Sequence, residues 1–206
     1  MLTQTVKISN VTNLSDARYC AGMGVEMLGF SIDESSQNYI APKKFEEICS
    51  WISGISLVAE TQETNPENII LALNAYPVQA IQIEHMDMIP YLAGSIEHKI
   101  ILRVSADTYD HTEISSIVNR YSNDVAYFLV ESESNALLTT EWLQALGTLS
   151  EDHAILVGFG LENETDVAKL TEQYPNIGIA LRGSEEIRPG YKDFGSMMDI
   201  LEALEA

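Results

Sequence analysis

The chain has 206 residues, enough for one domain and barely for two. Apolar residues make up 46% of it, ordinary for a globular chain with a full core, and the formal net charge is −20. That charge argues against nucleic acid, whose phosphates must be neutralised, and against an anionic membrane surface. It leaves room for a small phosphate, which backbone amides and one local arginine can hold.

The cysteines, Cys20 and Cys49, lack Cys-x-x-Cys spacing and a nearby histidine pair, so no structural metal is expected and free buried thiols are. The chain enters a strand by residue 5, leaving no room for a signal peptide, and no apolar run approaches the length of a membrane span. A cytoplasmic location is the expectation.

The β-branched run Thr5, Val6, Ile8 reads as a first buried strand that stops at Ser9-Asn10. Asn13 caps a helix, with Asp16 three residues on, and the helix ends near Gly22 and Gly24. Val25–Phe30 is a second strand, followed by a polar loop, 31–41. Pro42 starts a helix running to Ile52. Ile55–Ala59 is a third strand ending at Glu60, and Asn65-Pro66 opens a helix to about Tyr76. Val78–Ile83 is a fourth strand ending at Glu84-His85, with a short helix over Asp87–Ala93. Lys99–Val104 is a fifth strand and Asp110–Tyr121 a helix. Val125–Val130 is a sixth strand ending at Glu131, and Thr140–Leu149 a helix. Ala154–Val157 ends in Gly158-Phe159-Gly160, with Asn163 capping the seventh helix. Ile177–Leu181 is the eighth strand, and Asp193–Glu205 the last helix.

Eight strand–helix pairs at a spacing of roughly 25 residues are the mark of parallel βαβ units. The strands read as continuous apolar runs, as expected where both faces are covered. The predicted fold is α/β, a single-domain (β/α)₈ barrel over residues 1–206. The alternative, an open doubly wound sheet, lacks its fingerprint: Gly158-x-Gly160 has neither the third glycine nor the acidic residue about 20 positions on.

Chemistry in such barrels sits at the C-terminal ends of the strands. That rim is predicted to carry Ser9, Asn10, Ser31, Glu60, Glu84, His85, Ser105, Glu131, Gly158, Gly160, Arg182, Gly183 and Ser184. His98 and His153 fall at strand starts, on the opposite face. His111 starts a helix and is read as a surface residue. Gly158, Gly160, Gly183 and Ser184 are a candidate anion cradle, with Arg182–Glu186 a turn into a short helix whose amides face a phosphate. The competing reading is that these glycines only end strands in tight turns. A metal site of Glu60, Glu84 and Glu131 has no supporting ligand spacing, so neither metal nor cofactor is expected.

One further pattern runs through the chain. Lys7, Ile8, Thr12, Asp16, Ala17 and Leu28-Gly29-Phe30 resemble the opening of the phosphoribosylanthranilate isomerases, Lys-Ile-Cys-Gly-Ile-Thr, then Asp-Ala, then Leu-Gly-Phe. Ile81-Gln82-Ile83-Glu84-His85 is similar to that family's Val-Gln-Leu-His-Gly, and Leu102-Arg103-Val104 to its Ile-Arg-Val. Gly158-Phe159-Gly160-Leu161 and Pro189-Gly190-Tyr191-Lys192-Asp193 complete the likeness, in order, from Lys7 to about Ile200. The resemblance implies an Amadori rearrangement of a small phosphorylated ribosylamine in tryptophan biosynthesis. The family's cysteine base corresponds to Ser9 and its aspartate acid to Glu131. Its anthranilate-contacting arginine corresponds to Asn38, and its strand-eight aspartate to Ala180. The implied substrate-binding set is Asn38, Gln82, Glu84 and Arg103, and the implied phosphate set Gly158, Gly160, Gly183 and Ser184. A serine hydroxyl without an adjacent base is far too weak an acid to replace a thiolate near pH 7. Two readings follow: an isomerase with a substitute base at His85 or Glu84, or a diverged relative that binds a phosphorylated metabolite or a partner protein.

Overall fold

The computed structural model describes residues 2–134, 136–183, 186–188, 191–192 and 195–205. Among them, eight parallel strands close a barrel in chain order: β1 (Val6–Ser9), β2 (Met27–Ser31), β3 (Ser56–Glu60), β4 (Ala80–Ile83), β5 (Lys99–Ser105), β6 (Tyr127–Glu131), β7 (Ile155–Gly158) and β8 (Gly178–Arg182). Closure is made by β8 against β1, with Lys7 beside Ala180 and Ser9 beside Arg182. Helices α1 (Leu14–Met23), α2 (Pro42–Cys49), α3 (Pro66–Leu73), α4 (Ile89–Leu92), α5 (His111–Tyr121), α6 (Thr140–Leu149), α7 (Glu164–Gln173) and α8 (Gly195–Ala203) follow the strands in turn. The expected (β/α)₈ architecture is the one observed. Among the described residues no helix is long and apolar enough to cross a membrane.

The helix starts follow the local chemistry read from the sequence. Asn13 Oδ1 accepts from the Asp16 amide at 2.9 Å, Asn163 Oδ1 accepts from Thr165 at 2.9 Å, and Asp110 and Glu113 form a reciprocal cap. Gly24, in left-handed backbone at φ 81, ends α1 with its N–H on Ala21 and Cys20 carbonyls. The predicted helix over Asp87–Ala93 is instead a 3₁₀ turn, Met86–Met88, followed by the single turn of α4. Pro90 has no N–H to donate into the turn before it, so the helix begins afresh at Ile89. The predicted helix start in Arg182–Glu186 is also corrected. Glu186–Arg188 is a strand, β9, paired antiparallel with β10 (Tyr191–Lys192). Ser184 lies outside the described residues.

Alternation divides each barrel strand into two faces. Val6 and Ile8 pack outward into the layer shared with the helices, as do Leu28, Phe30, Ile81 and Val130. Inside, Met27, Val58, Ala80, Ile101, Leu129, Leu156 and Ala180 form a separate apolar plug. Two residues further along these strands the same inward face carries Gly29, Glu60, Gln82, Arg103, Glu131, Gly158 and Arg182, and on β1 it carries Lys7 and Ser9. The expectation of continuous apolar strands is therefore wrong for the mouth half of the barrel. Both cysteines are free, and burial pushes the Cys20 thiol up to about 12, with Asp16 adding to it, and Cys49 up to about 11.

Gly29 makes this arrangement possible. A Cβ there would lie 1.9 Å from Glu60 Oε1 and 2.9 Å from Lys7 Nζ. Gly29→Ala should destabilise the protein by about 2–4 kcal/mol, because it displaces a buried ion pair. Gly22→Ala is the control, since its added Cβ meets nothing within 4 Å. In a helix that change should stabilise by about 0.5–1 kcal/mol. Urea denaturation of both variants checks the pair.

Candidate active site at the barrel mouth

Two networks build the mouth. The first starts from Lys7, fully buried on β1. Its ammonium donates to Ser9 Oγ at 2.6 Å and to Glu60 Oε1 at 2.5 Å. The second Glu60 oxygen accepts the Asn10 amide at 2.9 Å, with Asn10 held in left-handed backbone at φ 57. An isolated buried ammonium would be prohibitively costly, so Lys7 and Glu60 are each other's condition for being inside. Ser9 is held by this pair as an acceptor of the Lys7 ammonium.

The second network radiates from Arg103 on β5. Its Nε donates to Glu131 at 2.5 Å, one terminal nitrogen to Glu84 at 2.7 Å and the other to Glu133 at 3.0 Å. Burial alone would lower the guanidinium pKa. Glu131 first, then Glu84 and Glu133, outweigh that and hold it above its ordinary value. Arg182 approaches the same Glu131 oxygen, Oε2, at 3.6 Å, its side chain 49% exposed. Glu131 thus accepts from one guanidinium and faces another, and Gly158 leaves it room: a Cβ there would fall 2.8 Å from Glu131 Cγ.

The loops extend the second network. Asp33 accepts Thr61 Oγ1 at 2.5 Å and the Gln62 amide at 2.7 Å, and the Gln62 side chain donates to Glu84 at 3.0 Å. Asp107 accepts the hydroxyls of Ser132 and Ser134, both at 2.6 Å, and the Glu133 amide at 2.6 Å. Those donors, Ser132 foremost, hold its carboxyl well below the usual carboxylate range. This clamp fixes the start of the β6–α6 loop and so aims Glu133 at Arg103.

Between the networks lies a cavity of about 190 Å³ lined by Ser9, Gln82, Glu84, Arg103, Glu131 and Arg182, among others. A larger depression of about 790 Å³ adjoins it, sharing Glu133 and Arg182 and bounded by Gly158, Gly160 and Ala180. The structure therefore brings together Ser9, Gln82, Glu84, Arg103 and Glu131, with Gly158 and Gly160 beside them. Other sequence expectations do not hold. Asn38 is absent from the lining of both cavities, its backbone folded onto Ser36 in the β2–α2 loop. The Gly183 amide is spent on the Ser9 carbonyl at 2.7 Å, extending the β1–β8 ladder, so it faces no anion. Gly160 gives close approach to protein, since a Cβ there would meet Leu138 Cβ at 2.7 Å. His85 is exposed and outside the cavity, which leaves it unsuited as a substitute base. His111 is half-buried against Trp142, with ring centroids 5.9 Å apart, where exposure was expected. Among the described residues no group of three or more His, Cys, Asp or Glu is arranged to hold a metal.

Sequence reasoning missed Asp33, Gln62, Asp107, Glu133 and the inward role of Lys7. Only Lys7 carried a usable signal. A charge alternating with Val6 and Ile8 must share the face of Ser9.

A parallel (β/α)₈ barrel with charged and polar groups converging at the C-terminal mouth has the layout of a small-molecule enzyme. No family model matches the chain. It is similar over nearly its whole length to N-(5'-phosphoribosyl)anthranilate isomerases. That of Aquifex aeolicus is 24% identical over 198 residues, covering 96% of both chains. That of Pelodictyon phaeoclathratiforme is 27% identical over 203 residues, covering 91% of both. Among solved structures, phosphoribosyl anthranilate isomerase from Thermotoga maritima superimposes with a TM-score of 0.77 at 20% identity, covering 98% of each chain. A phosphoribosyl anthranilate isomerase in complex with reduced 1-(o-carboxyphenylamino)-1-deoxyribulose 5-phosphate gives a TM-score of 0.73 at 19% identity, again covering 98% of each. The chain is a (β/α)₈ barrel similar to the phosphoribosylanthranilate isomerases, which agrees with the resemblance read from its motifs.

Arg103→Lys tests the second network. One ammonium cannot reproduce the three-way fork, and Glu131 and Glu84 would lose partners in a largely buried setting. A loss of about 1–3 kcal/mol is expected by chemical denaturation. Truncating the exposed Glu133 to alanine should change stability by less than about 1 kcal/mol.

Proposed function

We propose that this protein binds a small phosphorylated ligand at its barrel mouth and that it isomerises phosphoribosyl anthranilate slowly or not at all. The observation that carries the second half is Ser9. A hydroxyl beside an ammonium is stabilised as an acceptor. A lone ammonium already shared with Glu60 does not bring an alkoxide within reach near neutral pH. The proposed acid, Glu131, sits as an acceptor between Arg103 and Arg182. Asn38 and Ala180, where the resemblance puts charged groups, supply neither a positive contact nor a carboxylate.

The phosphate half rests on the complex named above, whose ligand is a 5-phosphate, and on the depression at β6–β8. Arg182 is half-exposed at the border of the two cavities, placed to meet an anion entering the larger one. We assign the phosphate to that guanidinium and to backbone after β7. The amide of Gly183 is left out. The acidic surface and the absence of an apolar membrane-spanning helix among the described residues fit a cytoplasmic role.

Purified wild-type protein is expected to turn over phosphoribosyl anthranilate with kcat/KM at least about 10²–10⁴-fold below the ordinary enzyme range, the typical deficit for a missing base. Ser9→Cys should restore a trace. The new thiol would sit beside the Lys7 ammonium, so its thiolate absorbance should titrate below the free-cysteine value of about 8.5. Adding Asn38→Arg and Ala180→Asp should help more than the sum of the single changes. Ribose 5-phosphate should bind in isothermal titration, and Arg182→Ala should weaken it. A wild-type kcat/KM of roughly 10⁴ M⁻¹s⁻¹ or more would refute the reading of Ser9.

A further inference from the structure

Among the described residues, the mouth has an excess of hydrogen-bond acceptors. Asp33, Glu60, Glu84, Glu131 and Glu133 line it against Arg103 and Arg182. Each of the three nitrogens of Arg103 already donates to a carboxylate. Lys7 is spent on Ser9 and Glu60. Among the described cations of the mouth, Arg182 is the half-exposed one, and it stands at the border with the larger depression.

A second feature points the same way and does not depend on the carboxylates. Gln82, 6% exposed, lies on the inward face of β4, level with Glu60 and two residues past Ala80 of the apolar plug. Its amide oxygen is buried and has no hydrogen-bond partner. A buried acceptor left unpaired is costly, and few persist without something that pairs with them. Gln82 lines the small cavity, so a turn of its amide presents the oxygen to a donor carried by a ligand there.

We infer that the ligand's phosphate goes to the Arg182 side and that its other end carries hydrogen-bond donors, an amine in particular, and no carboxylate. This rests on the phosphate-binding reading given above and specifies the chemistry at the opposite end. An ammonium entering the small cavity gains from Glu84 and Glu133 and can reach Gln82. Glu133 is 69% exposed in its side chain and Glu84 27%, so both can turn toward it without leaving the mouth. A carboxylate entering the same space would compete with Glu84 and Glu133 for Arg103 and leave one of them unpaired beside a like charge. The site is thereby turned away from a carboxyphenyl head.

Three hexose derivatives with a phosphate on C6 test this by titration calorimetry: glucosamine 6-phosphate, glucose 6-phosphate and 6-phosphogluconate. Exchanging a hydroxyl for a charge-assisted donor should tighten glucosamine 6-phosphate about tenfold over glucose 6-phosphate, with 6-phosphogluconate weakest. In Glu84→Gln the preference for the amine should fall several-fold, while Arg182→Ala should weaken all three alike. Equal affinities for the three, or 6-phosphogluconate the tightest, would overturn the inference and leave the phosphate reading standing. If none binds at millimolar concentration, both fall.

Discussion

The interior of this barrel depends on one buried ion pair. Lys7 and Glu60 come from strands that are not neighbours, and β2 runs between them. They meet because β2 offers Gly29 at the level where both side chains reach inward. Neither charge is tolerable there alone. The pair sets the orientation of Ser9 on one side and, through the Asn10 amide, the backbone turn out of β1 on the other. The position at which the related enzymes are expected to carry a cysteine is therefore already prepared. It has an adjacent ammonium and a fixed rotamer partner, and it holds a hydroxyl.

Across the barrel Arg103 has the corresponding role, with a different consequence. It draws Glu84, Glu131 and Glu133 onto one guanidinium, and Gln62 and Asp33 carry the network round to β2. A site so closely paired is rigid and favours ligands that complement its acceptors. The same pairing is separable from what holds the fold. Barrel closure relies on the apolar plug and the outer layer of helices, and both lie below or outside the mouth. The mouth can change its charge pattern without disturbing them.

The likeness to phosphoribosylanthranilate isomerases extends over nearly the whole chain, whereas the motif resemblance departs from the family at a few positions of the rim and its loops. Ser9, Asn38 and Ala180 alter three of those positions. Glu131 keeps a carboxyl at a fourth but ties it between two arginines. The reading of a phosphate site with a donor-bearing ligand follows from what these residues now offer one another.

The eight strands, most helix starts and the rim residues were legible in the sequence because they follow from local rules. Apolar runs of strand length bury, Asn13, Asn65, Asp110 and Asn163 cap whatever follows them, and residues after a parallel strand point to one mouth. Lys7 was legible in part, through its alternation with Val6 and Ile8. What the sequence by itself could not decide is which charged group meets which. Glu60 is 53 positions from Lys7, and Glu131 is 28 from Arg103. Asp107 and Ser132 come from separate loops. The same holds for the errors. Asn38 aligned with a binding position yet turned onto its own loop, and Gly183 suited an anion until barrel closure gave its amide to Ser9. Pairing across a closed sheet is set by register and by the space left by glycines on intervening strands. Those quantities exist only once the barrel has formed.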